Sequence, residues 1–270
     1  MAALSAAVSA VLANVQLRKT DYILAMDKIL RIAVAADIHG SMVALLKVFG
    51  MAREARADVV ILPGDITPHT LCNKMLLCIP DLTKYAGCKT IITYGNHDNY
   101  TPHKYFGNCL PYHFEHTAAI YDKQDIYFLH DNWVNIKGFV IWGSGWSVAE
   151  DPLRPDRWYN QKPQHQLVFD IPEDADIAVT HCPPWGYLDT TFDGKNIGSE
   201  DLTKKITTHN NLKLHVFGHC HESGGRTSKI YKTILANCAV TMPPDRRGEM
   251  DFAINWDAIK IMDVKKETTS

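Results

Sequence analysis

The 270-residue sequence has no apolar run near the ~20 residues that a membrane-spanning helix needs, so a membrane role is not expected. It has no Cys-x-x-Cys pair. Its seven cysteines, Cys72, Cys78, Cys88, Cys109, Cys182, Cys220 and Cys238, are odd in number in a chain too large to need staples. That argues against a disulfide framework and for reduced thiols in the cytoplasm. Neither sign of charge dominates: 28 Lys and Arg face 30 Asp and Glu, a net charge of -2, so bulk charge carries no nucleic-acid signal. Internal repeats and low-complexity linkers are also missing, which leaves one domain over residues 1–270. The segment Met1–Val15 is rich in Ala, Val and Leu but lacks a positive start and is interrupted by Ser5 and Ser9. It reads as part of a helical extension, residues 1–30, ahead of a core over 31–264, and not as a cleaved signal.

What is present is a series of short apolar runs that end abruptly in polar side chains. Arg31 to Ala36 runs into Asp37-Ile38-His39-Gly40, and Asp58 to Leu62 into Pro63-Gly64-Asp65. Lys89 to Tyr94 runs into Gly95-Asn96-His97-Asp98, Asp176 to Thr180 into His181, and Leu212 to Phe217 into Gly218-His219-Cys220-His221. Runs of this length, rich in Val and Ile and bounded by Gly or Pro, predict buried strands. Ser41 to Ala57 has apolar residues at helical spacing with Ser41 as N-cap, and Thr67 to Tyr85 is a second helix bounded by Pro68 and Pro80. Alternation of strand and helix predicts an α/β fold with a parallel sheet. The middle reads as an antiparallel meander of Ala118–Tyr121, Ile126–His130, Trp133–Ile136 and Phe139–Gly143, followed by a Pro-rich loop from Glu150 to Pro163. Lys232–Leu235 and Phe252–Trp256 are further strand candidates, and residues 264–270 read as a frayed end.

In open α/β sheets ligands bind beyond the carboxyl ends of the strands. Five predicted strands end in His, Asp or Asn, so these side chains converge on one edge. Residues i and i+2 of an extended segment point to one side, so Asp37 and His39 can reach one ion, as can His219 and His221. Imidazoles mixed with carboxylates suit Mn, Fe, Zn, Ni or Co ions more than Ca alone. The expected ligands are therefore Asp37, His39, Asp65, Asn96, His181, His219 and His221. Two such ions about 3.5–4 Å apart clamp a phosphate and lower the pKa of a bridging water, whose hydroxide attacks phosphorus. His97, pointing away from Asn96 along the chain, is the candidate for the leaving group, with Asp98 to orient it.

These strings resemble the calcineurin-like metallophosphoesterase superfamily, whose motifs run Asp-x-His, Gly-Asp, Gly-Asn-His-Asp/Glu, a lone His, and Gly-His-x-His. All are present here in that order between residues 31 and 240. The resemblance implies a two-sheet β-sandwich flanked by helices with a dinuclear site at one end. It also implies that Asp37, His39, Asp65 and His221 hold one metal and Asp65, Asn96, His181 and His219 the other, Asp65 bridging. Thr180-His181-Cys182-Pro183-Pro184 and Gly218-His219-Cys220-His221-Glu222 are similar to the metallophosphoesterase-domain-containing subgroup, itself similar to class III cyclic-nucleotide phosphodiesterases.

The expected activity is a phosphodiesterase on a small phosphate ester or nucleotide, with Asn96 and His97 in contact with substrate and Mn²⁺ the first choice of metal. A phosphomonoesterase or nucleotide pyrophosphatase would use the same clamp, and a non-catalytic scaffold on this fold is the alternative of another class. Trp146 and Trp185, with Tyr187, are candidates to stack on a nucleobase. The histidines outside the motifs, His130 and His215 among them, read as structural or surface residues. No feature of the sequence sets the oligomeric state.

Overall fold

The computed structural model describes residues 28–67, 74–98, 125–149, 161–242 and 253–266. Their elements in chain order begin with β1 (Lys28–Val34), α1 (Met42–Ala55), β2 (Val59–Pro63), α2 (Lys74–Ala86), β3 (Lys89–Thr93) and β4 (Ile126–Phe128). There follow β5 (Asn132–Ile136), β6 (Phe139–Ser144), β7 (Ser147–Val148), β8 (Gln161–Lys162) and β9 (Ile177–Thr180). The last are α3 (Glu200–Thr208), β10 (Leu214–Phe217), β11 (Thr227–Ile230), β12 (Thr233–Asn237) and β13 (Lys260–Lys266). The first sheet has the order β13-β1-β2-β3-β4, and the second β11-β12-β10-β9-β6-β5.

Strand alternation divides the apolar residues between two faces. Leu30, Ile32 and Val34 of β1, with Val59 and Ile61 of β2, face Ile141, Ile177, Val179 and Val216 across the gap between the sheets. Their neighbours Ala33, Ala35, Val60 and Leu62 face the other way, onto Leu45, Val48, Phe49 and Ala52 of α1. The second sheet turns Trp142, Ala178 and Phe217 outward under Phe169 and under Leu202 and Ile206 of α3. The central strands β2, β3, β6, β9 and β10 are covered on both faces, which is why they read as continuous apolar runs. The sandwich flanked by helices is as expected.

The structure corrects several local expectations. β4 pairs in parallel with β3 in the first sheet, Ile91 opposite Tyr127, and does not belong to a meander; among the described residues of that stretch, β5 and β6 form the one antiparallel pair. Ile126 is buried with the helix-side core and Tyr127 packs between the sheets, a placement that three residues cannot encode. Pro80 lies inside α2 and does not bound it. Met75, Leu76 and Ile79 are buried in the core, and their burial outweighs the helix bond a proline cannot make. Lys28, Ile29 and Leu30, expected in a helical extension, are strand residues paired with Lys266, Lys265 and Val264. The same pairing orders residues 264–266 of the expected frayed end. Of the expected strand Phe252–Trp256, Phe252 lies outside the described residues; among the rest Ile254 bridges Thr241, and Asn255 instead caps a short 3-10 turn over Trp256–Ala258. The expectations for residues 1–27, 68–73, Ala118–Tyr121, 150–160 and 267–270 lie outside the described residues.

Candidate metal centre

The seven expected ligands come from five strand ends. β1, β2 and β3 of the first sheet lead to Asp37 and His39, Asp65, and Asn96; β9 and β10 of the second lead to His181, and to His219 and His221. The backbone leaves the extended region abruptly at these ends. Asp37, His39, Asp65 and His219 have φ of 53°, 44°, 51° and 67°, a left-handed conformation that is uncommon for residues with a Cβ. Such strain gathers at functional sites when surrounding bonds enforce it. Here the loops after β1 and β2 are zipped together: Asp37 N donates to Gly64 O, His39 N to Asp65 O and Gly40 N to Ile66 O at 2.9–3.1 Å. Gly95 and Gly218 fit because a Cβ at either would overlap the carboxylate of Asp65 or Asp37.

Each buried carboxylate uses one oxygen on a backbone N–H. Asp37 Oδ2 accepts from His219 N at 2.9 Å, and Asp65 Oδ1 from His97 N at 2.8 Å. The other oxygens face imidazoles. Asp37 Oδ1 is 3.1 Å from His221 Nε2 and 3.7 Å from His39 Nε2, and the two Nε2 atoms are 3.2 Å apart. Asp65 Oδ2 is 3.6 Å from His39 Nε2, 3.3 Å from His181 Nε2 and 3.9 Å from His97 Nε2. His181 Nδ1 donates to Pro63 O at 3.0 Å, which turns Nε2 toward Asn96 Oδ1 at 2.8 Å. This outer bond is the kind that fixes the tautomer of a metal-ligating histidine. His219 Nε2 is buried with no hydrogen-bond partner, and its ring lies 4.9 Å from that of His181.

The electrostatics follow. Burial would raise the Asp37 carboxyl, but the charge and hydrogen bond of His221 hold it well below the usual carboxylate range. Asp65 is held low against burial by His181 and His97. Burial lowers His181, but the Asp65 charge and hydrogen bond outweigh it and push it up to about 9. His219 is held down to about 3 by burial and by the neighbouring His181. Lone pairs of oxygen and nitrogen thus converge from both sheets, and three overlapping groups could each hold an ion: Asp37, His39 and His221; His39, Asp65 and His97; and Asp37, Asp65 and His181. Mutually facing acceptors at these distances need a cation or a shared proton. The donor set, imidazoles with carboxylates and an amide oxygen, fits two first-row transition-metal ions.

The other expected residues are placed less uniformly. His97 sits on the wall of a cavity of about 430 Å³ with Asp65, Asn96, His219 and His221. It also shares a possible ion position with His39 and Asp65. The Asp98 carboxylate, expected to orient His97, accepts instead from Thr67 N, Thr67 Oγ1 and Gly95 N, so it braces the loop that carries Asn96. Burial, reinforced by the Asp65 charge, pushes it up to about 6. Trp146 donates Nε1 to Asp131 and packs under Lys162 and beside His130. Neither it nor Trp185 is among the described residues lining the cavity. The Cys220 thiol faces Thr190 O and Glu222 Oε2 and none of the expected ligands. His215 is buried against Thr180 Oγ1, as a structural residue should be.

The far wall is formed by Val148, Ala149, Thr191, Asp193, Lys195, Asn196, Ile197 and Glu222. All but Glu222 lie in the loops around residues 144–165 and 185–200, which with 99–116 are where the sequence places the choice of substrate, although it singles out none of these residues.

A family model described as calcineurin-like phosphoesterase matches residues 30–223, well over half of the chain, a range that includes all seven expected ligand positions. A UPF0046 protein of Caenorhabditis elegans is 26% identical over 196 residues, 66% of this chain and 61% of that protein. Human metallophosphoesterase domain-containing protein 1 is 34% identical over 103 residues, 36% of this chain and 30% of that protein. The chain therefore spans less than two thirds of the length of these relatives. Among solved structures, TT1561 of Thermus thermophilus shares the fold, with a TM-score of 0.57 at 17% identity over 78% of this chain and 90% of that one. Motif order, sandwich and converging ligands agree with the family match: the chain belongs to the calcineurin-like phosphoesterase family.

Proposed function

We propose that the protein is a metal-dependent phosphoesterase whose substrates are phosphodiesters, small esters or nucleotides, hydrolysed in the cavity beside Asp65. The observation that carries this reading is the meeting of Asp37 Oδ1, Asp65 Oδ2 and the Nε2 atoms of His39, His181 and His221, linked by neighbour distances of 3.1–3.7 Å, from strands of both sheets. Asp37, His39, Asp65 and His221 would hold one ion, and Asp65, Asn96, His181 and His219 the other, with Mn²⁺ first and Fe, Zn, Ni or Co as alternatives. Bound there, two such ions supply Lewis-acid charge for the phosphate oxygens and a water of lowered pKa.

The chain's own residues do the rest. Pro63 O and the backbone donors to Asp37 and Asp65 fix the ligand side chains before substrate arrives, so no reorganisation is needed during the reaction. His97 Nε2, on the cavity side of Asp65, holds a proton for the departing alkoxide, and Asn96 and His97 contact the phosphate. The cavity extends from the ligands to Thr191 and Lys195, more room than a bare phosphate fills, which leaves space for the organic part of an ester. The buried thiols of Cys182, Cys220 and Cys238 are free and pushed up to about 12 by burial, which suits a reducing cytoplasm.

The test is hydrolysis of bis-p-nitrophenyl phosphate with Mn, Ni, Co or Fe added to metal-stripped protein. Metal-dependent turnover is expected. No turnover with any of them would remove the enzyme reading and leave a scaffold.

A further inference from the structure

The far wall of the cavity is built around one carboxylate. Asp189 is fully buried. Its Oδ2 accepts from Gly186 N and Gly198 N, both at 3.1 Å, and closes the loop 186–198 into a ring. Its Oδ1 accepts from the side-chain amide of Asn196 at 2.7 Å. A second pairing across the ring, between Thr190 and Asn196, and a hydrogen bond from Asn196 Nδ2 to Thr190 Oγ1 at 3.2 Å complete the local frame. The ring is also tied to the ligand-bearing segment: Phe192 N donates to Glu222 Oε1 at 3.1 Å, and Asn237 Nδ2 donates to both Leu188 O and Cys220 O.

A carboxylate oxygen can only accept, so the NH₂ end of the Asn196 amide must face Asp189. Both amide hydrogens are then committed, one to Asp189 and one to Thr190. The remaining polar atom of this cavity-lining side chain is Oδ1, and no described hydrogen bond uses it. Its neighbours on the wall, Asp193 and Glu222, are acceptors too, and Asp193 holds the ammonium of Lys195 in an ion pair at 2.6 Å. We propose that Asn196, locked in orientation by Asp189, is a specificity residue whose Oδ1 accepts a hydrogen bond from a hydroxyl group on the alcohol portion of the substrate. The class of substrate selected is therefore a phosphate ester of a polyhydroxy alcohol, in preference to an ester of equal size without hydroxyls.

This rests on the cavity being the phosphoesterase site, so the experiment separates the two ideas. Binding of glycerol 3-phosphate and of n-propyl phosphate, near-isosteric and differing in hydroxyls, is measured by calorimetry on the metal-loaded protein, and turnover of bis-p-nitrophenyl phosphate is measured alongside. Wild type is expected to bind the glycerol ester about five- to tenfold more tightly, the worth of one hydrogen bond. Asn196→Ala is expected to equalise the two ligands without weakening propyl phosphate. Asp189→Asn, which lets the amide turn over, is expected to shrink the preference in the same direction. Equal binding of both ligands by wild type, or a preference that survives in Asn196→Ala, would overturn the proposal whether or not the diester is hydrolysed. Absence of diester turnover with the binding preference intact would instead overturn the activity and leave the specificity residue standing.

Discussion

At the scale of single residues, the site divides into atoms that hold charge and atoms that hold those atoms still. Asp65 lies at the centre, with Oδ2 within 3.3–3.9 Å of His181, His39 and His97, and Oδ1 fixed by the His97 amide. Asp65→Asn is therefore expected to weaken both metals together, read as the metal-to-protein ratio by elemental analysis. One metal fully retained would show that Asp65 does not bridge. His97→Ala is expected to keep both metals while lowering kcat by about 10²–10⁴, the usual contribution of a positioned proton donor. Because His97 shares a possible ion position with His39 and Asp65, metal content in that variant decides between donor and ligand. The convergence of the seven expected ligand residues at one end of the sandwich was legible in the sequence because each follows an apolar run that reads as a buried strand. Asp98 was misread because chain proximity to His97 says nothing of where a carboxylate's acceptors turn; Thr67, 31 residues away, takes it. Asn196 was invisible because its meaning depends on Asp189, which is buried only once the loop closes.

At the scale of elements, what positions the site is the packing of α1 beneath the loop that carries Asp37 and His39. Ser41 caps the helix, its Oγ accepting from Ala44 N at 3.2 Å, only two residues after His39. Phe49 is fully buried in the cluster between α1 and the first sheet. Phe49→Ala is expected to cost about 3–5 kcal/mol through lost burial and the cavity left behind. A urea or thermal unfolding curve would show it, with metal content per folded molecule unchanged. A cost below about 1 kcal/mol would mean that the helix is not anchored there. The helix and the parallel strands were legible because their periodicity is long and both faces of each strand are apolar. β4 and Pro80 were not. A three-residue strand carries no record of its partner, and a proline rule about helix ends is overridden when Met75, Leu76 and Ile79 are buried around it.

At the scale of the whole molecule, the two sheets are joined at opposite ends by different chemistry. At the site end they meet through the ligands. At the other end they meet through Asp176, which stands just before β9 in the second sheet and is 1% exposed. Its Oδ1 is 2.7 Å from Lys213 Nζ, and its Oδ2 is 2.7 Å from Lys266 Nζ and accepts from Val140 N at 3.0 Å. Lys266 ends β13, the edge strand of the first sheet, so this carboxylate ties together strands of both sheets. Burial raises its pKa, but the hydrogen bonds of Lys213 and Lys266 outweigh that and hold the folded value below the ordinary 3.8. A carboxyl lowered on folding contributes stability that is fully present above its unfolded pKa and is lost as pH falls through the folded pKa. Stability is thus expected to decline on acidification below about pH 4 partly through this group. Asp176→Asn is expected to cost on the order of 2–3 kcal/mol at neutral pH, since charge-assisted bonds are lost at a buried position. The same substitution should flatten the acid limb of the stability profile. Urea unfolding of both proteins between about pH 3 and pH 7 gives the comparison. Parallel profiles, with the same acid slope in wild type and Asp176→Asn, would mean that the pH dependence arises elsewhere and that the far end of the sandwich is held by its apolar core alone.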